Sequence, residues 1–144
     1  MAIQSTNITT NPAELESLLR AHAVYPTSQR MAIARVLLAQ HQHVTADQLH
    51  TLLKQRGFLV SKATVYNTLG LFVSQGLLTE IFIDPGAVYY DSNIGHHHHF
   101  YNIDSGELTD IDEDLLPRFL DTRVPDGTQL EDVHIVIRVK NRPA

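Results

Sequence analysis

The sequence predicts an α+β fold in two small domains, the first mainly helical and the second mainly strand. Four segments with helical apolar spacing fill about half of the 144 residues, and the spacing then changes to the alternation typical of strands. The charge divides at the same place. Residues 1–84 hold six Lys/Arg and five Asp/Glu, whereas residues 85–144 hold five Lys/Arg and eleven Asp/Glu. We therefore expect one domain over residues 1–90 and a second over residues 91–144.

Each helix is predicted from a capping residue followed by apolar side chains three or four positions apart. The segments and their caps are 11–24 (Asn11), 27–40 (Thr27), 44–57 (Thr45) and 61–76 (Ser61). Glu14 and Gln48 each follow a cap by three positions, which predicts two capping boxes. Pro26 separates the first two helices, and Gly57 and Gly76 are placed to end the third and the fourth.

Short strands are predicted after the helices. The segments "LLTEIFI" and "VYYD", on either side of the turn "DPGA", indicate a β-hairpin. Three further strands are predicted within residues 96–104, 106–112 and 133–140, with a helix over 113–121. Three helices followed by a hairpin is the order of a winged helix-turn-helix, whose last helix reads DNA. The predicted architecture is a winged helix-turn-helix domain, extended by a leading helix, followed by a small α/β domain.

The composition excludes several classes of protein and site. The chain has no cysteine, which rules out disulfides, cysteine nucleophiles and a structural zinc site built from four cysteines. No apolar run approaches the roughly 18 residues that span a bilayer, and no charged-then-apolar leader is present, so we expect a cytoplasmic protein with no membrane partner. Any metal must be bound by imidazole and carboxylate groups, and the acidic second half attracts cations.

Four consecutive histidines, residues 96–99, open the second domain. A purification tag is a poor match because tags lie at termini and are usually longer. A loop of solvated histidines is the plainer alternative. Because alternate residues of a strand face the same side, His97 and His99 are predicted to form one pair, and His96 and His98 another.

Three more candidate ligands lie within reach of the pair His97 and His99. Asp91 ends the predicted hairpin, Asp110 lies in the following strand, and His43 precedes the third helix. Three imidazoles and two carboxylates suit Fe²⁺ or Mn²⁺, and Zn²⁺ would still bind in vitro because of its higher intrinsic affinity. An ion held in this way would fix the relative orientation of the two domains.

The fourth helix is the candidate for DNA recognition. Lys62 and the helix N-terminus can meet phosphate, the ring of Tyr66 can contact a thymine methyl, and Asn67 can bond a base edge, with Thr64 on the same polar side. An ordinary amphipathic surface helix has the same pattern. The order of the elements, with two helices before it and a hairpin after it, favours recognition.

The segments "TSQRMAIARVLL", "HVTADQLHTLLKQRG" and "SKATVYNTLGLFVSQGLL", and the histidine run followed by "SGELTDI", resemble the ferric uptake regulator (Fur) family. The resemblance covers roughly residues 12–140. It implies a homodimer that binds A/T-rich inverted repeats in double-stranded DNA and represses genes in response to metal. It also implies that Tyr66 contacts bases, that Arg30 and Lys62 contact the DNA backbone, and that His43, Asp91, His97, His99 and Asp110 form the regulatory site.

Two branches of the family are most similar. The peroxide-sensing (PerR) branch uses Asp where iron sensors tend to use Glu, and its Fe²⁺ reacts with peroxide to oxidise a ligand histidine. The iron response regulator (Irr) branch shares the histidine run and the short ending, and binds haem. The second histidine pair is expected to be exposed and able to bind haem or, with a carboxylate from "DIDED" and His134 as a further candidate, a second metal ion. Solvated histidines are the alternative for these residues.

Two other classes of function remain open on the sequence alone. Two histidines and one carboxylate can form a non-haem iron enzyme site, and the acidic half could instead be a metal storage or carrier module. The short length leaves little room for a substrate pocket beside a winged helix, so we expect a regulator rather than an enzyme. His22, His41 and His50 are expected to be surface or interface residues.

Overall fold

The chain folds as two compact units, Met1–Gly95 and His96–Ala144. The computed structural model describes residue 9 and residues 11–83, 86–92, 97–111 and 115–144. The first two residues of the predicted "DPGA" turn, His96, and the start of the predicted helix over 113–121 lie outside these ranges. No helix within them is long and apolar enough to cross a membrane.

The first unit contains the four predicted helices. They are α1 (Pro12–Ala21), α2 (Ser28–Leu37), α3 (Ala46–Gln55) and α4 (Lys62–Ser74). The side chains of all four predicted caps accept hydrogen bonds from backbone N–H groups of the first turn. The capping box of α3 forms as predicted, whereas Glu14 of α1 accepts a hydrogen bond from the hydroxyl of Thr9 instead. Gly57 and Gly76 follow α3 and α4 with φ of +82° and +79°, the left-handed conformation that ends helices.

Three antiparallel strands complete the first unit. They are β1 (His43–Val44), β2 (Thr79–Ile83) and β3 (Ala87–Asp91), in the sheet order β1-β3-β2. The hairpin of β2 and β3 was predicted, and the two-residue strand β1 was not. Among the described residues, twenty buried side chains from the helices, the sheet and the segments between them form the core, with Leu19, Ile33, Leu49, Leu69 and Phe72 among the most buried. This core holds the first turn of α4 at the surface.

The second unit is built on a three-stranded sheet. Its strands are β4 (His98–Asn102), β5 (Leu108–Ile111) and β6 (Val136–Val139), in the order β5-β4-β6. β4 pairs antiparallel with β5 and parallel with β6. In the described part of the predicted helix over 113–121, the structure has a 3₁₀ turn, Leu116–Phe119, with Pro117 as its second residue. The central position of β4 places its histidines between the side chains of two neighbouring strands.

Candidate metal centre and DNA-binding face

Asp91 and two histidines form a compact group in the first unit, the Asp91 cluster (His41, His43 and Asp91). β1 pairs with β3 so that His43 lies directly opposite Asp91, an arrangement that brings cross-strand side chains into contact. His43 Nε2 lies 3.0 Å from Asp91 Oδ2, and His41 Nε2 lies 3.3 Å from Asp91 Oδ1. Each carboxylate oxygen therefore faces one imidazole.

The burial of Asp91 makes these contacts necessary. Its side chain has no exposed surface, whereas those of His43 and His41 are 12% and 28% exposed. A buried carboxylate is costly unless charge or hydrogen bonds compensate it. Two imidazoles provide that compensation, and a bound cation could provide it in their place. The pairing of the short strand β1 with β3 places His43 against this carboxylate.

A second group, the Asp110 cluster (His97, His99 and Asp110), lies in the second unit. β4 and β5 pair with His99 opposite Asp110. His97 Nε2 and His99 Nε2 lie 3.2 Å and 3.3 Å from the same oxygen, Asp110 Oδ1. The rings of the two histidines are 4.4 Å apart between centroids. The structure therefore contains the predicted pairing of His97 with His99 on one side of the strand.

His98 lies on the opposite face of β4 from His99, as predicted. The prediction that its side chain is exposed is wrong. Its side chain is 1% exposed, and its Nδ1 accepts a hydrogen bond from the backbone N–H of Ile135 at 3.0 Å. The premise of an exposed axial haem ligand at this position therefore fails, because the segment before β6 covers the ring. His134 approaches both histidines, with Nε2 3.0 Å from His99 Nδ1 and its ring stacked 6.3 Å from that of His98.

The predicted DNA-contacting residues divide between two places on the first unit. Arg30, Thr64 and Asn67 line one cleft of about 510 Å³ between the start of α2 and α4. Arg30 Nη1 donates to the carbonyl of Tyr25 at 3.0 Å, which holds the guanidinium at the edge of this cleft. The cleft presents cationic, hydroxyl and amide groups, the chemistry that phosphates and base edges accept.

Lys62 and Tyr66 instead meet Asp47, which lies in the first turn of α3. Lys62 Nζ is 3.1 Å from Asp47 Oδ1, and the Tyr66 hydroxyl is 3.5 Å from the same oxygen. The side chains of Lys62 and Asp47 are 59% and 64% exposed, and Tyr66 is 49% exposed. Beside them, burial raises the pKa of Tyr90 above its ordinary value, and nearby Glu80 and Tyr66 raise this pKa further.

His41 is the functional candidate that sequence reasoning missed, since it was expected at the surface or at an interface. The spacing of His41 and His43, two positions apart, is a signal that could have identified it. That spacing is informative only where the backbone is extended, and no strand was predicted there. Both clusters nevertheless contain two imidazoles and one carboxylate, groups that can hold a divalent metal ion.

Comparison with known proteins gives one family. The family model described as "Ferric uptake regulator family" matches residues 22–138. The peroxide-responsive repressor PerR of Staphylococcus epidermidis is 33% identical over 109 residues, which cover 69% of this chain and 73% of the relative.

Solved structures agree with this family. The ferric uptake regulator of Vibrio cholerae superposes with a TM-score of 0.74 at 26% identity, covering 88% of this chain and 98% of that one. The ferric uptake regulator of Pseudomonas aeruginosa, solved with manganese, gives a TM-score of 0.70 at 27% identity, covering 89% and 98%. The predicted fold class, a winged helix-turn-helix domain with a small α/β domain, is confirmed.

The functional class follows from the family. Its members are transcription regulators and not enzymes, so the prediction of a DNA-binding regulator is confirmed, and the enzyme and storage alternatives are not favoured. With the family model matching most of its length, this chain belongs to the ferric uptake regulator family.

Proposed function

We propose that this chain is a metal-dependent repressor that binds DNA as a homodimer. One Fe²⁺ or Mn²⁺ ion, bound by His43, Asp91, His97, His99 and Asp110, promotes DNA binding. The first unit, Met1–Gly95, acts as the DNA-binding domain, and the second unit, His96–Ala144, acts as the dimerisation domain. An inverted repeat is the proposed target, because a two-fold symmetric dimer presents two equivalent recognition helices to two half-sites, and the family resemblance implies that this repeat is A/T-rich.

The convergence of His97 and His99 on one oxygen of Asp110 is the observation that carries this proposal. Two Nε2 atoms within 3.3 Å of the same carboxylate oxygen leave three donor atoms around one small volume. A cation in that volume would accept one nitrogen lone pair from each ring and one carboxylate oxygen. The side chains of His99 and Asp110 are only 2% and 19% exposed, so this volume is largely shielded from solvent.

Ligand number supports joining the two clusters into one site. Two imidazoles and one carboxylate leave open positions on iron, as in non-haem oxygenases, whereas Mn²⁺ and Fe²⁺ in closed sites take more ligands. The Asp110 cluster alone has this open character. Adding His43 and Asp91 gives five protein ligands, and an ion shared between the units would restrain their relative orientation. A regulator that works by fixing the orientation of its domains needs that restraint.

The chemistry of the five ligands narrows the choice of metal ion. Imidazole and carboxylate suit Fe²⁺ and Mn²⁺, and without cysteine no thiolate favours zinc. The 27% identical regulator of Pseudomonas aeruginosa was solved with manganese. Zn²⁺ binding in vitro would follow the general affinity order of divalent metals and would not identify the metal used in the cell.

The first unit supports the DNA side of the proposal. Tyr66 and Asn67 are exposed on α4 next to the buried Val65, Thr68 and Leu69, so the polar face of the helix is free of the core. Positive charge near this face comes from Lys62, at the start of α4, and from Arg30 of α2, which lines a cleft with Thr64 and Asn67. We assign phosphate contacts to Arg30, Lys62 and Thr64, and base contacts to Tyr66 and Asn67.

The proposal is tested by fluorescence anisotropy with a duplex selected from host genomic DNA, at fixed salt, with chelator and then with Mn²⁺. We expect Mn²⁺ to tighten binding by the wild type. Asp110→Ala should bind DNA as the chelated wild type does, with or without Mn²⁺. His50→Ala, which removes a histidine of α3 outside both clusters, is the matched control and should respond like the wild type. An Asp110→Ala variant with a full response to Mn²⁺ would refute the site.

Peroxide response is a second candidate function, favoured by the PerR relative, and Asp91 and Asp110 are compatible with the use of Asp in that branch. It is tested by exposing Fe²⁺-loaded and Mn²⁺-loaded protein to hydrogen peroxide. Loss of DNA binding only by the iron form, with an oxygen atom added to a site histidine in its mass spectrum, would support this function. Equal resistance of both forms would exclude it.

A further inference from the structure

His134 has no part in the proposed five-ligand set, yet it touches one of the ligands. His99 uses both ring nitrogens within the second unit. Its Nε2 lies 3.3 Å from Asp110 Oδ1, and its Nδ1 lies 3.0 Å from His134 Nε2. The two rings are 5.2 Å apart and cross at 70°, which is an edge-on approach rather than a stack. His134 therefore faces the nitrogen of His99 that points away from Asp110.

The backbone fixes His134 in this place. The carbonyl of Ile135 accepts a hydrogen bond from the N–H of His99 at 3.1 Å, and the N–H of Ile135 donates to His98 Nδ1 at 3.0 Å. One residue later β6 begins, with Val136 opposite His99 in the parallel ladder. Both sides of Ile135 are thus bonded to β4, so its neighbour His134 has little freedom to leave His99.

We propose that His134 is a positioning residue that holds His99 in the ring orientation and tautomer that metal binding requires. This inference rests on the proposed function, because it concerns a ligand of the proposed site. A neutral imidazole that gives the lone pair of Nε2 to a metal carries its proton on Nδ1. That Nδ1–H needs an acceptor in a site this buried, and His134 Nε2, 3.0 Å away, is placed to accept it when His99 holds this tautomer. Such outer partners fix the ring of a metal-bound histidine and make it a better ligand.

The same geometry makes this positioning role incompatible with a second metal site at His134. An ion bound to His134 Nε2 would take the lone pair that accepts the proton of His99, and the 3.0 Å contact would break. His134 therefore cannot both orient His99 and bind a metal ion through Nε2. With His98 Nδ1 already accepting from Ile135, the second site predicted from His96, His98 and His134 loses two of its donor atoms.

Two substitutions separate positioning from ligation. His134→Ala removes the acceptor, whereas His134→Gln replaces Nε2 with an amide oxygen that can also accept the proton of His99. We expect His134→Ala to weaken Mn²⁺ binding by about 10- to 100-fold, the usual cost of losing an outer partner. We expect His134→Gln to recover most of that loss. Both variants should still bind the same number of ions per chain as the wild type, and His50→Ala should change nothing.

Nitrogen-15 NMR of the Zn²⁺-loaded protein gives an independent readout. The wild type and His134→Gln should show His99 protonated on Nδ1, with slow exchange of that proton, and His134→Ala should show faster exchange. Unchanged Mn²⁺ affinity in His134→Ala, or a loss of one bound ion in both variants, would overturn the inference. If Asp110→Ala removes Mn²⁺ binding and His134→Ala does not weaken it, the site stands and only the positioning role fails. If Asp110→Ala binds Mn²⁺ as the wild type does, the proposed function fails as well.

Discussion

We expect Asp47 to oppose DNA binding, and its replacement by Asn to strengthen that binding. The carboxylate lies 3.1 Å from Lys62 Nζ and 3.5 Å from the Tyr66 hydroxyl, so it occupies the two groups that are predicted to meet DNA. Asn keeps an oxygen for the tyrosine hydroxyl but removes the negative charge. The variant therefore isolates the effect of charge from the effect of shape.

The size of the effect follows from the geometry of the ion pair. Two unit charges 3.1 Å apart interact by about 1.3 kcal/mol in water. Side-chain entropy and salt reduce an exposed pair to about 0.5 kcal/mol, within the usual range for surface ion pairs. A dimer contains two such pairs, which gives about 1 kcal/mol, or roughly a five-fold gain in DNA affinity. The salt dependence should steepen, by up to about 0.9 in the log–log slope per freed lysine.

The assay is fluorescence anisotropy with specific and random duplexes over a range of salt concentrations. Glu16→Gln is the matched control, because Glu16 forms a similar exposed ion pair with Arg20 at 3.2 Å on α1. Asp47→Asn should bind both duplexes more tightly, whereas Glu16→Gln should bind them as the wild type does. Equal affinities and equal salt slopes for Asp47→Asn and Glu16→Gln would refute the reasoning.

Three further outcomes are expected. Lys62→Ala should weaken binding to specific and random duplexes alike and lower the salt slope by about 1 in anisotropy titrations, and a change confined to the specific duplex would contradict a phosphate contact. Phe72→Ala, at a position 1% exposed, should cost about 3–5 kcal/mol in urea unfolding, whereas Leu59→Ala, 90% exposed, should cost under about 0.5 kcal/mol. Because the pKa of Tyr90 is raised in the folded state, the unfolded chain loses this proton first as pH rises past 10.0, and stability falls. Tyr90→Phe should therefore lose less stability than the wild type between about pH 8 and about pH 10.5, and an equal loss would exclude this cause.

The helices could be predicted because their signals are local. The side chains of Thr27, Thr45 and Ser61 cap the helices that follow them, and Gly57 and Gly76 end theirs, each through contacts within a few residues. The change of period after residue 76 likewise located the hairpin. These features depend on the preferences of individual residue types for capping and ending helices, which can be read from the sequence.

The parts that were missed depend on contacts between distant segments. The strand β1 has two residues and exists only because the edge of β3 accepts it, so no periodicity could have shown it. Without β1, the approach of His41 to Asp91 could not be foreseen. Near residue 117, proline and the short apolar run give a 3₁₀ turn where helical spacing predicted a longer helix.

The candidate site was predictable in its residues but not in its surroundings. Strand alternation predicted that His97 and His99 would share a side and that His98 would face the other way. It could not show which face is covered, because the covering segment at Ile135 lies 37 positions away from His98 in the chain. For the same reason the contact of His134 with His99 came only from the structure.

One measurement tests the central claim most directly, namely that a single ion takes ligands from both units. The measurement is a crystal structure of Mn²⁺-loaded protein with anomalous data collected at the manganese edge. We predict one strong anomalous peak per chain, bonded to His43 and Asp91 of the first unit and to His97, His99 and Asp110 of the second. A manganese ion bonded to the residues of one unit alone, or a peak away from all five, would contradict it.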